Sequence, residues 1–158
     1  MPAIVSQVVD CYVFRRRGDA VDVLLLKRAE GRYMGGTWHA VHGRIERGEA
    51  AWQAALRELR EETQLRPIRF YQLDLVNTFY VAEDDAIHCS PSFAAEAASD
   101  AVPILNVEHT AYRWVPLESS ADEFLWAGQR RAIREIQKDI IADSPARRHL
   151  EIPLPDDA

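Results

Sequence analysis

Residues 43–65 read GRIERGEAAWQAALRELREETQL. From Glu49 to Thr63 the residues are mostly Ala, Leu, Arg, Glu and Gln, all good helix formers, with no Gly or Pro among them. Pro67 lies just beyond, where a helix has already stopped. At about 100° per residue, Glu58, Glu61 and Glu62 fall at i, i+3 and i+4 within one sector of that helix. Ala51, Ala54 and Ala55 share the same side. Trp52, Leu56, Leu59 and Thr63 form a separate, mainly apolar stripe.

Crowded carboxylates cost an isolated helix only about 0.2–0.5 kcal/mol per like pair, so a plain solvated acidic face is one reading. Two features favour another. Small alanines on the acidic side allow a second element to approach closely. The cluster also lies near the helix C-terminus, where the dipole disfavours anions. A divalent cation answers both points, because Mg²⁺ and Mn²⁺ prefer carboxylate oxygens. Geometry alone leaves both readings open.

Working outward, residues 4–15 and 21–28 are rich in Val, Leu, Tyr and Phe, and Arg16-Arg17-Gly18-Asp19 between them signals a turn. They predict two antiparallel strands. Residues 29–37 hold three glycines and read as loop, and 38–46 as one or two short strands. After the helix, 68–82 and 87–98 read as strands around a polar turn at Glu83-Asp84-Asp85, with Pro91 at a bulge or edge. Residues 110–115 alternate and predict a strand. Residues 127–141 predict a helix whose stripe is Ala132, Ile133, Ile136 and Ile140. The order gives an α/β (α+β) fold with a mixed sheet between helices. Residues 1–142 form one domain on this reading. The tail, 143–158, has three prolines and is expected to be mobile.

The chain has 158 residues, 47% apolar and 28% charged, the balance of one globular core. No apolar run exceeds four residues, so no membrane-spanning helix is expected. The first residues lack a basic segment and an apolar signal core. Two cysteines, Cys11 and Cys89, are too few for a disulfide framework, so a cytoplasmic setting and buried thiols are expected. A net charge of −6 disfavours polynucleotide binding but not a small phosphorylated substrate held through a cation. Arg15-Arg16-Arg17 reads as the solvated end of a hairpin.

The segment 43–65 resembles the signature of the Nudix hydrolases, Gly-x5-Glu-x7-Arg-Glu-U-x-Glu-Glu-x-Gly-U with U aliphatic. Gly43, Glu49, Arg57, Glu58, Leu59, Glu61, Glu62 and Leu65 match; Gln64 stands at the closing glycine. A common Pro-Gly-Gly before the signature reads Val41-His42-Gly43 here. The resemblance implies an α/β/α sandwich over residues 4 to about 140. It implies that Glu58, Glu61 and Glu62 hold Mg²⁺, or Mn²⁺ in its place, with the carbonyl near Gly43 as a further ligand. Glu58 is alternatively the base that activates water. Arg57 and Glu49 resemble the pair that orients the loop and helix. A further carboxylate from a later loop is expected, with Glu108 the first candidate for a catalytic and metal-binding role and Glu96, Glu83 and Asp84 behind it.

The implied reaction is attack of water at phosphorus on a nucleoside diphosphate linked to a group X. Residues 107–114 and Gln129-Arg130-Arg131-Ala132-Ile133 resemble the dATP and dihydroneopterin triphosphate pyrophosphohydrolases, where the closing glycine is also replaced. A (d)NTP or pterin triphosphate cleaved to monophosphate and pyrophosphate therefore ranks first. ADP-ribose and dinucleoside polyphosphates follow, and then a non-catalytic nucleotide sensor. A homodimer is compatible with the resemblance. Lys27 and Arg28 are candidates for phosphate binding, against a solvated strand end. Trp38, Tyr33, Phe79 and Tyr80 are candidates for base stacking, against core packing. His39 and His42 at i, i+3, without Cys or a third His nearby, make a weak zinc pair.

Overall fold

A computed structural model describes residues 1–156. Nine strands form one mixed sheet: β1 (Ala3–Val5), β2 (Val8–Arg17), β3 (Ala20–Arg28), β4 (Trp38–His39), β5 (Val41–Arg44), β6 (Arg69–Val81), β7 (Ala86–Ala97), β8 (His109–Pro116) and β9 (Glu151–Ile152). The main path runs β4-β3-β2-β7-β6-β9, with β1 on β7, β5 on β2 and β8 on β3. The β2–β7 and β1–β7 pairs are parallel and the rest antiparallel. The helices are α1 (Ala51–Thr63), α2 (Leu117–Ser120), α3 (Ala127–Glu135) and α4 (Arg147–Leu150). Helix α3 continues as a π-helical turn over Ile136–Ile141. No helix among the described residues is long and apolar enough to cross a membrane.

Strand alternation divides the core in two. Tyr12, Phe14, Val21, Val23 and Leu25 face Ala132, Ile133, Ile136 and Ile140. Val9, Cys11, Val13, Leu24 and Leu26 face Ala54, Ala55 and Leu59 of α1. The period of two in the strands thus meets the period of about 3.6 in each helix, giving helix, sheet and helix in layers. Each fully buried large side chain contributes about 1.5–3 kcal/mol.

The expected strand over 4–15 is broken at Ser6-Gln7. The Gln7 carbonyl accepts the Ile45 amide at 2.9 Å, and β1 crosses to pair with β7. Pro91 lies beside a register shift between Gln72 and Val76, at the place on β7 between its β1 and β2 partners. A residue without an N–H is tolerated there. Within the tail, residues 147–152 lie against the sheet. Leu150 is buried, Ile152 and Glu151 pair with Phe70 and Tyr71, and Arg147 donates to the Tyr71 hydroxyl at 3.3 Å. Two apolar residues outweigh the prolines around them. The end of that tail, residues 157–158, lies outside the described residues.

Helix α1 ends on Gln64 in the left-handed region (φ 57°, ψ 12°), its N–H bonded to the Arg60 carbonyl at 2.8 Å. Glutamine has therefore taken the conformation that a glycine would supply. Left-handed backbone costs a non-glycine residue about 1–2 kcal/mol. Glycine returns roughly half of that through its freer unfolded chain. Gln64→Gly is expected to raise stability by about 0.5–1 kcal/mol, read as a higher urea midpoint. An unchanged or lower midpoint would show that the turn is unstrained.

Candidate active site

The acidic face of α1 lies against β5 because neither side carries bulk. A Cβ added to Gly43 would sit 1.9 Å from Glu58 Cδ and 2.2 Å from its Cγ. Gly43 is thus a close-approach glycine, and Glu58 fills the space its side chain would need. Ala54 and Ala55 are fully buried on the sheet side. Glu62 is carried inward with them and is only 1% exposed.

Arg57 organises the segment before the helix. Its Nε and Nη2 donate to the two oxygens of Glu49, both at 2.9 Å. Nη2 also donates to the Arg44 carbonyl at 2.8 Å, and Nη1 to Glu58 at 2.8 Å and Glu61 at 3.3 Å. Glu49 in turn accepts the Glu46 amide at 3.0 Å. The planar fork ties β5, the connecting loop and α1 into one unit, a geometry lysine does not reproduce. The Arg57 hydrogen bond holds the Glu49 carboxyl below its ordinary range.

The carboxylates sit in different surroundings. Glu61 is largely exposed, whereas Glu58 is mostly covered. Burial raises the Glu58 pKa. Burial pushes Glu62 up to about 9, reinforced by the charges of Glu58 and Glu108. One Glu62 oxygen, Oε2, is buried without a hydrogen-bond partner. Such an oxygen is costly unless a proton or a cation occupies it. The carboxylates gathered on this face, Glu58, Glu61 and Glu62, are of the oxygen-donor chemistry that a divalent ion takes. The side chains do not already form a closed cage, since among the described residues no group of three potential ligands converges tightly enough. Arg57 engages both Glu58 and Glu61.

Glu108 reaches the site because its loop is fastened to the end of α1. The Glu62 and Thr63 carbonyls accept the amides of Asn106 and Ile104 at 3.3 and 2.8 Å. Asn106 then caps the next turn, its Oδ1 accepting the Glu108 amide at 3.0 Å. The Glu108 carbonyl takes the Ala29 amide at 2.8 Å, joining this loop to the end of β3.

Lys27 and Arg28 part company. Strand alternation sends Arg28 to the α1 side, where its charge acts on Glu62, His39, His42 and His109. Its Nε is buried and unpartnered. Lys27 points to the α3 side beside its register partner Trp38. The Arg113 guanidinium covers one Trp38 face at 4.3 Å. Glu96 pairs with Arg16 on that same far side, and Glu83 and Asp84 occupy the β6–β7 turn. Arg15 and Arg17 pair with Asp22 and Arg16 with Glu96, and Arg17 stays exposed at the hairpin end, so the basic run is both solvated and ion-paired. Phe79 stacks on His88, Tyr80 bonds Asp85, and Tyr33 is exposed in the glycine loop.

Two features were not singled out from the sequence. Asp10, 5% exposed, accepts His42 Nδ1 and Ser90 Oγ, both at 2.8 Å. This clasp fixes β5 next to Gly43 and occupies His42, while His39 contacts Thr37. The zinc reading of the pair has no support in this arrangement. The other is His109, buried with Nε2 at 3.8 Å from Glu62 Oε2 and pushed down to about 4 by burial. Cys11 is buried as expected; Cys89 is only half-buried.

A family model for the NUDIX domain matches residues 6–136. The chain belongs to the Nudix family of hydrolases. Among relatives, an octanoyltransferase of Myxococcus xanthus is 34% identical over 130 residues, 81% of this chain but 36% of that protein. The chain spans less than half the length of the curated relatives it resembles here. The fold resembles the C. elegans Ap4A hydrolase at TM-score 0.71 and 21% identity, covering 87% and 98% of the two chains. It also resembles the E. coli dihydroneopterin triphosphate pyrophosphohydrolase at TM-score 0.67 and 22% identity, covering 85% and 94%.

Two outcomes follow. Gly43→Ala should fold but displace Glu58, lowering turnover at least about 100-fold, as ångström-scale misplacement does; near-normal turnover would show that Glu58 needs no fixed position. The second concerns Glu62 in metal-free protein. Its pKa is raised on folding, so its stabilising contribution is full below the unfolded value near 4.5 and is lost as pH rises towards about 9. Thermal midpoints in chelator should fall across that window, and Glu62→Gln should flatten the slope. A slope unchanged in the variant would assign it to other groups.

Proposed function

We propose that the protein is a Mg²⁺-dependent pyrophosphohydrolase, with Mn²⁺ able to substitute, acting on a nucleoside or pterin triphosphate. The carrying observation is the buried, unpartnered oxygen of Glu62 beside Glu58 and Glu108. With Glu62 buried and Glu58 mostly covered, a cation offsets the repulsion among these carboxylates in their charged form. When bound, the ion neutralises the pyrophosphate and polarises the phosphorus under attack.

The chain's own groups supply the rest. Arg28, at the end of β3 with its charge acting on Glu62, is assigned to phosphate oxygens through its guanidinium. Arg57 and Glu49 hold the helix and loop in register, so that the acidic residues converge. Glu58, raised by burial, takes the proton of the attacking water in one assignment and serves as a ligand in the other. One P–O bond forms from water and the anhydride P–O bond breaks, leaving monophosphate and pyrophosphate. Trp38, with Lys27 beside it, lies on the other sheet face and is assigned to the group X.

The triphosphate preference rests on the likeness of residues 107–114 and 129–133 to that branch. A sensor without catalysis is disfavoured because every acidic position of the signature is retained. The test is Mg²⁺-dependent turnover of a panel holding dNTPs, NTPs, dihydroneopterin triphosphate, ADP-ribose and diadenosine polyphosphates, with products separated by charge. Monophosphate plus pyrophosphate from one triphosphate is expected. Two monophosphates from ADP-ribose would move the substrate and keep the reaction. Glu61→Gln and Glu62→Gln should each lose most activity while the protein stays folded; turnover like wild type in both would remove the role assigned to them.

A further inference from the structure

We propose that His109 is a positioning residue for Glu62, directing the imidazole Nε2–H at Glu62 Oε2 so that this carboxylate is held ready for the cation. The inference rests on the metal reading above and assigns a residue that the signature does not contain.

Three observations carry it. First, His109 and Glu62 are both buried, and Nε2 stands 3.8 Å from Oε2, just beyond hydrogen-bond reach. Second, each residue has a buried polar atom without a partner, Oε2 on Glu62 and Nδ1 on His109. With its proton on Nε2, the imidazole keeps only a lone pair at Nδ1 and gives its one donor to the carboxylate. Third, the approach is built by the backbone. The Asn106 carbonyl accepts the His109 amide at 3.3 Å, while the Asn106 amide donates to the Glu62 carbonyl at 3.3 Å. The β3–β8 register shifts at Lys27/Arg28 to set His109 opposite Arg28, on the α1 side of the sheet. One asparagine turn therefore delivers both Glu108 and His109 to the end of α1.

The arrangement makes the histidine a partner of a ligand rather than a ligand. Groups of that kind orient a carboxylate, and their loss typically weakens metal binding about 10–100-fold. Two polar substitutions separate a positioning role from simple packing. His109→Gln places an amide N–H near the position of Nε2. His109→Asn places one near Nδ1 and cannot reach Glu62.

The measurement is Mn²⁺ affinity of the full chain by electron paramagnetic resonance, with the thermal midpoint in chelator recorded for each variant. Wild type is expected to bind Mn²⁺, His109→Gln to stay within about threefold, and His109→Asn to weaken at least about tenfold. Equal, wild-type-like affinity in both variants overturns the inference. Equal loss in both also overturns it, since the bulk of the ring would then be the cause. Absence of Mn²⁺ binding by wild type removes the metal reading itself, and this inference with it. That outcome is distinct from the others because it appears before any substitution.

Discussion

The structure depends on how closely α1 approaches the sheet. Gly43 on one side and Ala54 and Ala55 on the other remove the bulk that normally keeps a helix and a strand apart. That approach buries Glu62 and covers Glu58. It also lets one guanidinium, Arg57, reach Glu49, Glu58, Glu61 and the Arg44 carbonyl together. The same closeness creates the electrostatic cost. Carboxylates brought near one another and out of water are unstable as anions, and the fold tolerates them where a cation can join them. Packing and chemistry are therefore one constraint, set by the small residues.

Much of this was legible in the sequence because periodicity reports packing faces. The α3 stripe and the glycine loop appear where the pattern placed them, whereas α1 buries Ala54, Ala55, Leu59, Glu62 and Thr63 and leaves Trp52 and Leu56 of its apolar stripe only partly covered. Within the signature, Glu49 and Arg57 sit together as that segment's pattern suggests, and outside it the charge of Glu108 acts on Glu62. What the sequence hid is what only three dimensions decide. His109 lies 47 positions from Glu62, and nothing local distinguishes it from any histidine opening a strand. Asp10 reads as an interruption in a strand until Ser90 and His42 close around it. In the tail, prolines stand out in the composition, whereas Leu150 and Ile152 are the residues that meet the sheet. Gln64 shows the converse. A departure from the expected glycine left the backbone unchanged, because the tertiary setting imposed the turn.

The glycine loop, the end of β3 and the Asn106 turn meet at one corner. The Ala29 amide binds the Glu108 carbonyl, and the Arg28 amide binds the Thr37 carbonyl at 3.0 Å. The two ends of the glycine loop and the Asn106 turn are thus tied by backbone bonds, which leaves their side chains free to vary. The loop's middle is held as well, the Gly36 amide donating to the Arg28 carbonyl and the Gly35 amide to the Arg32 carbonyl, both at 2.9 Å, so a loop with three glycines serves a site that needs fixed distances.

Adjacent residues on β3 project to opposite faces, Arg28 towards the acidic helix and Lys27 towards Trp38 and Arg113. The sheet is a partition, and the strand writes its two sides in alternating letters. Odd positions answer to one compartment and even positions to the other. Inheritance can therefore rewrite the compartment around Trp38 letter by letter while the acidic compartment is copied unchanged. Substitutions on one side of this frame can therefore accumulate without disturbing the packing of the other.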